Sequence, residues 1–227
     1  MDSKYIIQIL LSLPKTIWFN IRYLPFSYAK KLPIYVHYRT RVKAYRGNID
    51  LSQNDKLKLF AIKFGNRGSE GVVEKHYNYI CFEKKARVIF KGRAAFGLGS
   101  ALNVAGTITF GNRFAANKNL FISCSKEIEF QDNVLCGWNV DIRDTDGHTV
   151  YLDNEPKESM KPIYIYNHVW ICSDVKIFKG VTIGADSVVA SSAVVTKGSS
   201  EHGVCWAGFP AKIIQRGINW DSKVLPQ

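Results

Sequence analysis

Proline is scarce in this chain, with seven residues in 227, and seventeen glycines are too few for a collagen-like period. A Pro-rich linker and a collagen-like segment are thereby excluded. Cysteine is limited to Cys81, Cys124, Cys136, Cys172 and Cys205, an odd number with no C-x-x-C pair. With no secretory signal read ahead of them, they are expected to be reduced thiols of a cytosolic protein. The nearest two histidines, His148 and His168, are 20 residues apart. That spacing provides no paired ligands, so no metal is expected. P-loop, G-x-S-x-G and H-E-x-x-H signatures are missing as well, and Gly97-Leu-Gly99 lacks the third glycine of a dinucleotide-binding loop.

Acidic residues are nearly missing from the start of the chain. Residues 1–46 hold nine lysines and arginines against Asp2 alone, a net +8 of the chain's +12. Aromatics such as Trp18, Phe19, Tyr23 and Phe26 are interleaved with them. This mixture suits an anionic membrane surface or an anionic substrate, and equally a helical collar whose aromatics pack on the main domain. No nucleic-acid-binding motif accompanies it, so no nucleic-acid partner is expected. The apolar run Tyr5–Leu13 is too short to span a bilayer and ends at Pro14. It lacks a small-residue cleavage site and is read as an interfacial or packing segment. The expected location is cytoplasmic, with peripheral association at the inner membrane face.

What the sequence does contain is a repeat. From Ile165 an apolar residue recurs every six positions, as Ile165, Ile171, Ile177, Ile183, Val189 and Val195. A second series, Val169, Val175, Val181, Ser187, Ala193 and Ser199, consists of small or β-branched residues. A period of six fits neither an α-helix nor a simple alternating strand. It fits short strands stacked as a parallel β-helix with one hexad per face and eighteen residues per coil. Ile165 should then lie under Ile183, and Ile171 under Val189. Upstream, Val88–Phe90, Ile108–Phe110 and Ile128–Phe130 repeat at intervals of twenty, and Ile49–Leu51 and Ile62–Phe64 are expected to be the first, ragged coils. The polar stretch at 145–162 interrupts hexads that later resume, so it reads as a loop extruded from a corner. The organisation expected is a basic, aromatic, partly helical extension over 1–46, the β-helix over 47–212 and a short C-terminal cap over 213–227.

Specific strings add to the period. Val169-Trp-Ile-Cys-Ser173, Lys179-Gly-Val-Thr-Ile-Gly184, Ser187–Lys197 and Ala207-Gly-Phe-Pro-Ala-Lys-Ile-Ile214 together resemble the hexapeptide-repeat acyltransferases, especially the galactoside and maltose O-acetyltransferase type, whose relatives modify surface polysaccharides. The resemblance is tight over about 128–214, weaker over 88–127 and absent from the basic N-terminal region. It implies an all-β fold, a left-handed parallel β-helix, a homotrimer with sites between subunits, acetyl-CoA as co-substrate and a sugar or glycan acceptor.

The same resemblance carries site residues. His148, at the end of a coil just before the protruding loop, stands where the family has its catalytic histidine. An imidazole suits the task because it can accept the acceptor's proton and return it near neutral pH. Asp146, or alternatively Asp144, is expected to orient it. Asn117 and Trp170 match acceptor-site positions, and Ser173 lies where backbone amides meet the oxyanion. Cys172 replaces the usual glycine there. Ser191, Thr196, Lys197, Gly208, Pro210, Ala211 and Lys212 match coenzyme A positions, with Arg216 a further cation for phosphates. Phe209 replaces the family asparagine. His168 is read as a solvated corner, and His37, His76 and His202 match nothing.

Other readings stay open beside this one. N-acetylation of an amino sugar would use the same parts, and a non-catalytic scaffold would need only the repeat. A γ-type carbonic anhydrase shares the fold but requires paired histidines, which this sequence lacks.

Overall fold

The computed structural model describes residues 3–221 except 56, 68–71, 74 and 76. His76 and the last six residues of the expected C-terminal cap therefore lie outside the described residues.

Three sheets form the faces of a prism, here called A, B and C, and the chain visits them in that order coil after coil. Face A begins at Ile34–Val36 and ends at Ala211–Arg216, face B runs from Thr40–Lys43 to Val194–Val195, and face C from Ile49–Asp50 to Thr182–Ile183. The paired strands are parallel except in two hairpins, Tyr151–Leu152 with Glu155–Pro156 and Val204–Gly208 with Ala211–Arg216. This is the parallel β-helix that the hexads predict.

The predicted stacking is realised in the register. Ile165 pairs with Ile183, Ile171 with Val189 and Ile177 with Val195, all of them buried. Ser187, a polar member of the second series, is also buried, and its hydroxyl accepts the Val204 N–H at 3.2 Å. The twenty-residue coils have a different interior. Phe90, Phe110 and Phe130 are in register and stack face to face, with centroids 5.2 and 5.4 Å apart. Phe64, Phe96 and Phe114 form a second column against them. Close packing requires a wider coil around phenylalanine than around isoleucine and valine, which accounts for the two additional residues per turn.

Corners repeat as faithfully as faces. Arg113, Asn133, His168 and Asp186 take positive φ where face C turns into face A, and Asn119, Asn139, Asp174 and Ser192 where A turns into B. Asparagine and aspartate adopt this backbone at low cost. Asn119 Nδ2 donates to Asn139 Oδ1 at 2.9 Å, and Asn139 Nδ2 to Asp174 Oδ1 at 3.0 Å, forming a ladder along the A–B corner.

At the N-terminal end, helix α1 (Ser3–Tyr23) crosses the open end of the solenoid and passes through Pro14 without ending. Its Thr16 hydroxyl bonds both the N–H and C=O of Val36, and the Asn20 amide bonds both the N–H and C=O of Ile34. Ser12 accepts from the N–H of Tyr38. One helical turn rises about 6 Å per four residues and a strand about 6.6 Å per two, so a ridge at i, i+4, i+8 matches every second residue of a strand edge. Phe19 and Tyr23 then plug the core.

Two boundaries differ from expectation. The first rung begins at Ile34, inside the stretch assigned to the extension, because Ile34–Val36 pairs with Ile62–Phe64. At the other end, Ala211–Arg216 folds back on Val204–Gly208 and completes face A, so the cap expected to start at 213 is in part the return strand of a hairpin.

Candidate active site

The excursion at 145–162 leaves the end of the face B strand Asp141–Arg143 and rejoins face C at Ile163. Asp144 fixes its root. This carboxylate is buried and accepts three backbone N–H groups, from Ser125 and Lys126 at 2.7 Å and from Glu127 at 2.8 Å. The Asp144 carbonyl takes the Lys161 N–H at 3.0 Å, closing the loop's base. Burial, and then the Asp144 charge, push the neighbouring Cys124 thiol far above its ordinary range.

Beyond that root the chain is exposed. Asp146 forms an ion pair with Lys179, which also donates to the Glu158 carbonyl at 2.7 Å. His148 is exposed and has no hydrogen-bond or ion-pair partner among the described residues. Within one chain, then, neither expected carboxylate touches the imidazole. Asp144 serves three amides, and Asp146 is turned to Lys179.

The remaining candidates fall into two columns. Asn117, Ser173 and Ser191 lie along the A–B corner, with the Gly208–Ala211 turn at its end. Gly137 lies in the same column, where a Cβ would come within 2.7 Å of the Ser173 nitrogen, so glycine lets the rungs close there. The Ser173 hydroxyl accepts the Trp138 N–H at 3.2 Å, while the Ser173 N–H meets no acceptor among the described residues. Burial raises the adjacent Cys172 thiol to about 11, Cys205 adds to the rise and the Ser191 hydroxyl opposes it. Cys172 is therefore a neutral thiol at physiological pH. Thr196 and Lys197 lie exposed on the other corner, B to C, which also carries the root of the His148 loop. Lys212 is exposed, Ala211 is buried and Phe209 projects 80% exposed from the hairpin turn beside Pro210. Arg216 is engaged by Glu201 at 2.7 Å.

Trp170 stands on face A and is 38% exposed. Beside it the structure adds a group that the sequence did not reveal. Trp220 stacks on the His168 ring with centroids 4.4 Å apart, its Nε1 donates to the His168 carbonyl at 2.7 Å, and its ring lies 5.7 Å from Trp170. His168 Nδ1 is 2.9 Å from Asp186 Oδ1, so this corner is a held aromatic cluster and not the solvated turn expected. A cleft of about 390 Å³ runs past it, lined by Arg113, Asn133, Leu135 and Trp220. No group of three or more potential metal-ligating side chains occurs among the described residues.

The fold is a left-handed parallel β-helix, shared with a polysialic acid-specific acetyltransferase at a TM-score of 0.56 and 21% identity, over 86% of this chain and 92% of that one. In sequence the chain is similar to the galactoside O-acetyltransferase of Escherichia coli K12, 39% identical over 126 residues, and to that of Lactococcus lactis, 33% identical over 114. These segments cover 55% and 49% of this chain, and 58% and 54% of the two relatives, so the match spans about half of each. No protein-family model matches the chain. The relatives of this β-helix are thus acetyltransferases.

Proposed function

We propose that the chain is an acetyl-CoA-dependent O-acetyltransferase acting on a sugar hydroxyl, in bacterial surface-polysaccharide biosynthesis, and that it works as a homotrimer in the cytoplasm. The observation that carries this reading is the division of the candidate residues between two corners. His148 stands free near one corner of face B, and the Ser173 amide and Trp170 lie at and beside the other. A strand of three or four residues separates them by roughly 10–15 Å. A general base must come within about 3 Å of the proton it takes. One chain cannot bring both corners to the same thioester, but the B–C corner of one copy can meet the A–B corner of the next. The galactoside acetyltransferases named above support the choice of a sugar hydroxyl.

In this arrangement acetyl-CoA supplies the activated acyl carbon. His148 takes the proton from the acceptor hydroxyl as its oxygen bonds to that carbon. The Ser173 N–H donates to the oxyanion that develops. As the carbon–sulfur bond breaks, the imidazolium returns the proton to sulfur, leaving an acetyl ester and a free thiol. Lys197 and Lys212 provide positive charge for the phosphates of the co-substrate, while Thr196, Ser191 and the Gly208–Ala211 turn border its pantetheine arm. Asn117 and Trp170 contact the acceptor, and Asp146 exchanges Lys179 for His148 when the acceptor is bound.

The test is thiol release from acetyl-CoA with a panel of sugars, for the wild type and His148→Ala. A loss of about a hundredfold or more, with coenzyme A binding and thermal midpoint unchanged, is expected for removal of a general base. Equal rates in the two proteins would eliminate His148 from that role. Amino sugars in the same panel distinguish ester from amide formation.

A further inference from the structure

Helix α1 turns its apolar face away from the protein. Ser12, Thr16 and Asn20 point at the strand edge, so the opposite face presents Ile7, Leu10, Pro14, Ile17, Trp18 and Ile21, all exposed. Steps of three and four residues join positions 7, 10, 14, 17 and 21 into one stripe. Leu10 is 59% exposed, Ile21 is 60%, and Phe26 just beyond the helix is 76%. Scattered apolar residues on a surface are ordinary, but a continuous stripe of this length marks a contact.

Charge around the stripe identifies its partner. Arg22, Lys30, Lys31 and Arg39 lie at the same end of the solenoid, and none has a carboxylate partner among the described residues. The sequence has no acidic residue from Ser3 to Ile49. An interface of anionic headgroups over acyl chains suits both features, because the stripe enters the acyl boundary while the cations reach phosphates. Trp18 has the amphipathic ring that favours this depth. No helix among the described residues is long and apolar enough to cross a membrane, so α1 would lie on the surface and not through it. The geometry agrees. α1 runs alongside the first rung, transverse to the solenoid axis, and its outer face looks along that axis as one end of the prism.

We propose that this end of the solenoid docks on an anionic lipid bilayer, with the stripe from Ile7 to Ile21 at the acyl boundary and Arg22, Lys30 and Lys31 on the headgroups. The proposal is independent of the acyl-transfer reading, since its readout is vesicle binding.

The experiment is co-sedimentation of the full chain with vesicles of mixed phosphatidylglycerol and phosphatidylcholine, and with phosphatidylcholine alone, at low and high salt. The wild type should bind the anionic vesicles and lose affinity as salt rises. The double substitution Leu10→Glu/Trp18→Glu changes two exposed side chains, of which Trp18 also meets the Tyr23 ring edge-on; with folding verified by its thermal midpoint, it should lose at least about tenfold in binding. Lys30→Gln/Lys31→Gln should weaken binding by about tenfold and flatten the salt dependence. Absence of wild-type binding, or unchanged binding in Leu10→Glu/Trp18→Glu, would overturn the proposal. Equal binding to phosphatidylcholine alone would overturn its anionic part. A fall in oligomer mass for Leu10→Glu/Trp18→Glu would assign the stripe to a second copy instead.

Discussion

Cys172 illustrates how a single side chain is set by its rung. It stands in the column that contains Gly97 and Gly137, where a Cβ would come within 2.4 and 2.7 Å of the next coil's backbone. Its thiol fits because it is half-buried against Ser191 and Cys205, and burial raises it from 9.0 to about 11. The neutral thiol is the favoured form in the folded protein. Its contribution to stability is complete below pH 9 and is lost as pH rises through about 11. Near neutrality the thiolate fraction is roughly a hundredfold lower than for an unperturbed cysteine, so Cys172 does not compete for the thioester. Peptide mapping after iodoacetamide treatment should find Cys172 slow to alkylate at pH 7 and progressively faster toward pH 11. Rapid alkylation at pH 7 would contradict this account. Asp144 shows the complementary case, a carboxylate four residues before the candidate base in sequence whose three amide partners give it a structural role. From sequence alone it could not be separated from Asp146, because both lie in the same polar turn and only the coil below supplies the amides.

Among the elements, α1 inverts the usual amphipathic rule. A helix normally presents apolar residues to the core, but α1 covers a row of unpaired strand groups, and those need polar partners. Asn20→Leu would leave the Ile34 N–H and C=O buried without partners, at a cost of about 2–4 kcal/mol. Denaturation in urea should show that loss, with faster hydrogen exchange at Ile34; an unchanged midpoint and exchange rate would show that the edge is satisfied in another way. The same inversion explains why the N-terminal region was less legible than the hexads. From Ile165 on, an interior row of β-branched residues every six positions can be recognised directly, and the stacking of Ile165 under Ile183 follows. In the phenylalanine coils the period stretches to twenty, so Val88, Ile108 and Ile128 show the repeat while the first rung at Ile34 stays hidden among cations and tyrosines. The Trp220 cluster left no periodic trace at all, since Trp220 reaches His168 across 52 residues from outside the repeat.

The whole molecule is a rigid ruler with its candidate residues on two edges. Positive-φ residues repeat along the A–B corner, where Asn117, Ser173 and Ser191 line up, and the root of the His148 loop lies on the B–C corner with Thr196 and Lys197. In the homotrimer proposed above, unlike edges of neighbouring copies would meet, and each interface would then hold one complete set. Two variants that are each inactive should consequently complement each other, provided that one lacks His148 and the other lacks a residue of the opposite edge. The most direct measurement is acetyl-CoA turnover by verified mixed oligomers of His148→Ala and Trp170→Ala, each inactive alone. Random mixing in equal amounts restores one interface in four, so about a quarter of wild-type turnover is expected. Mixed oligomers no more active than the separate variants would contradict a site shared between copies.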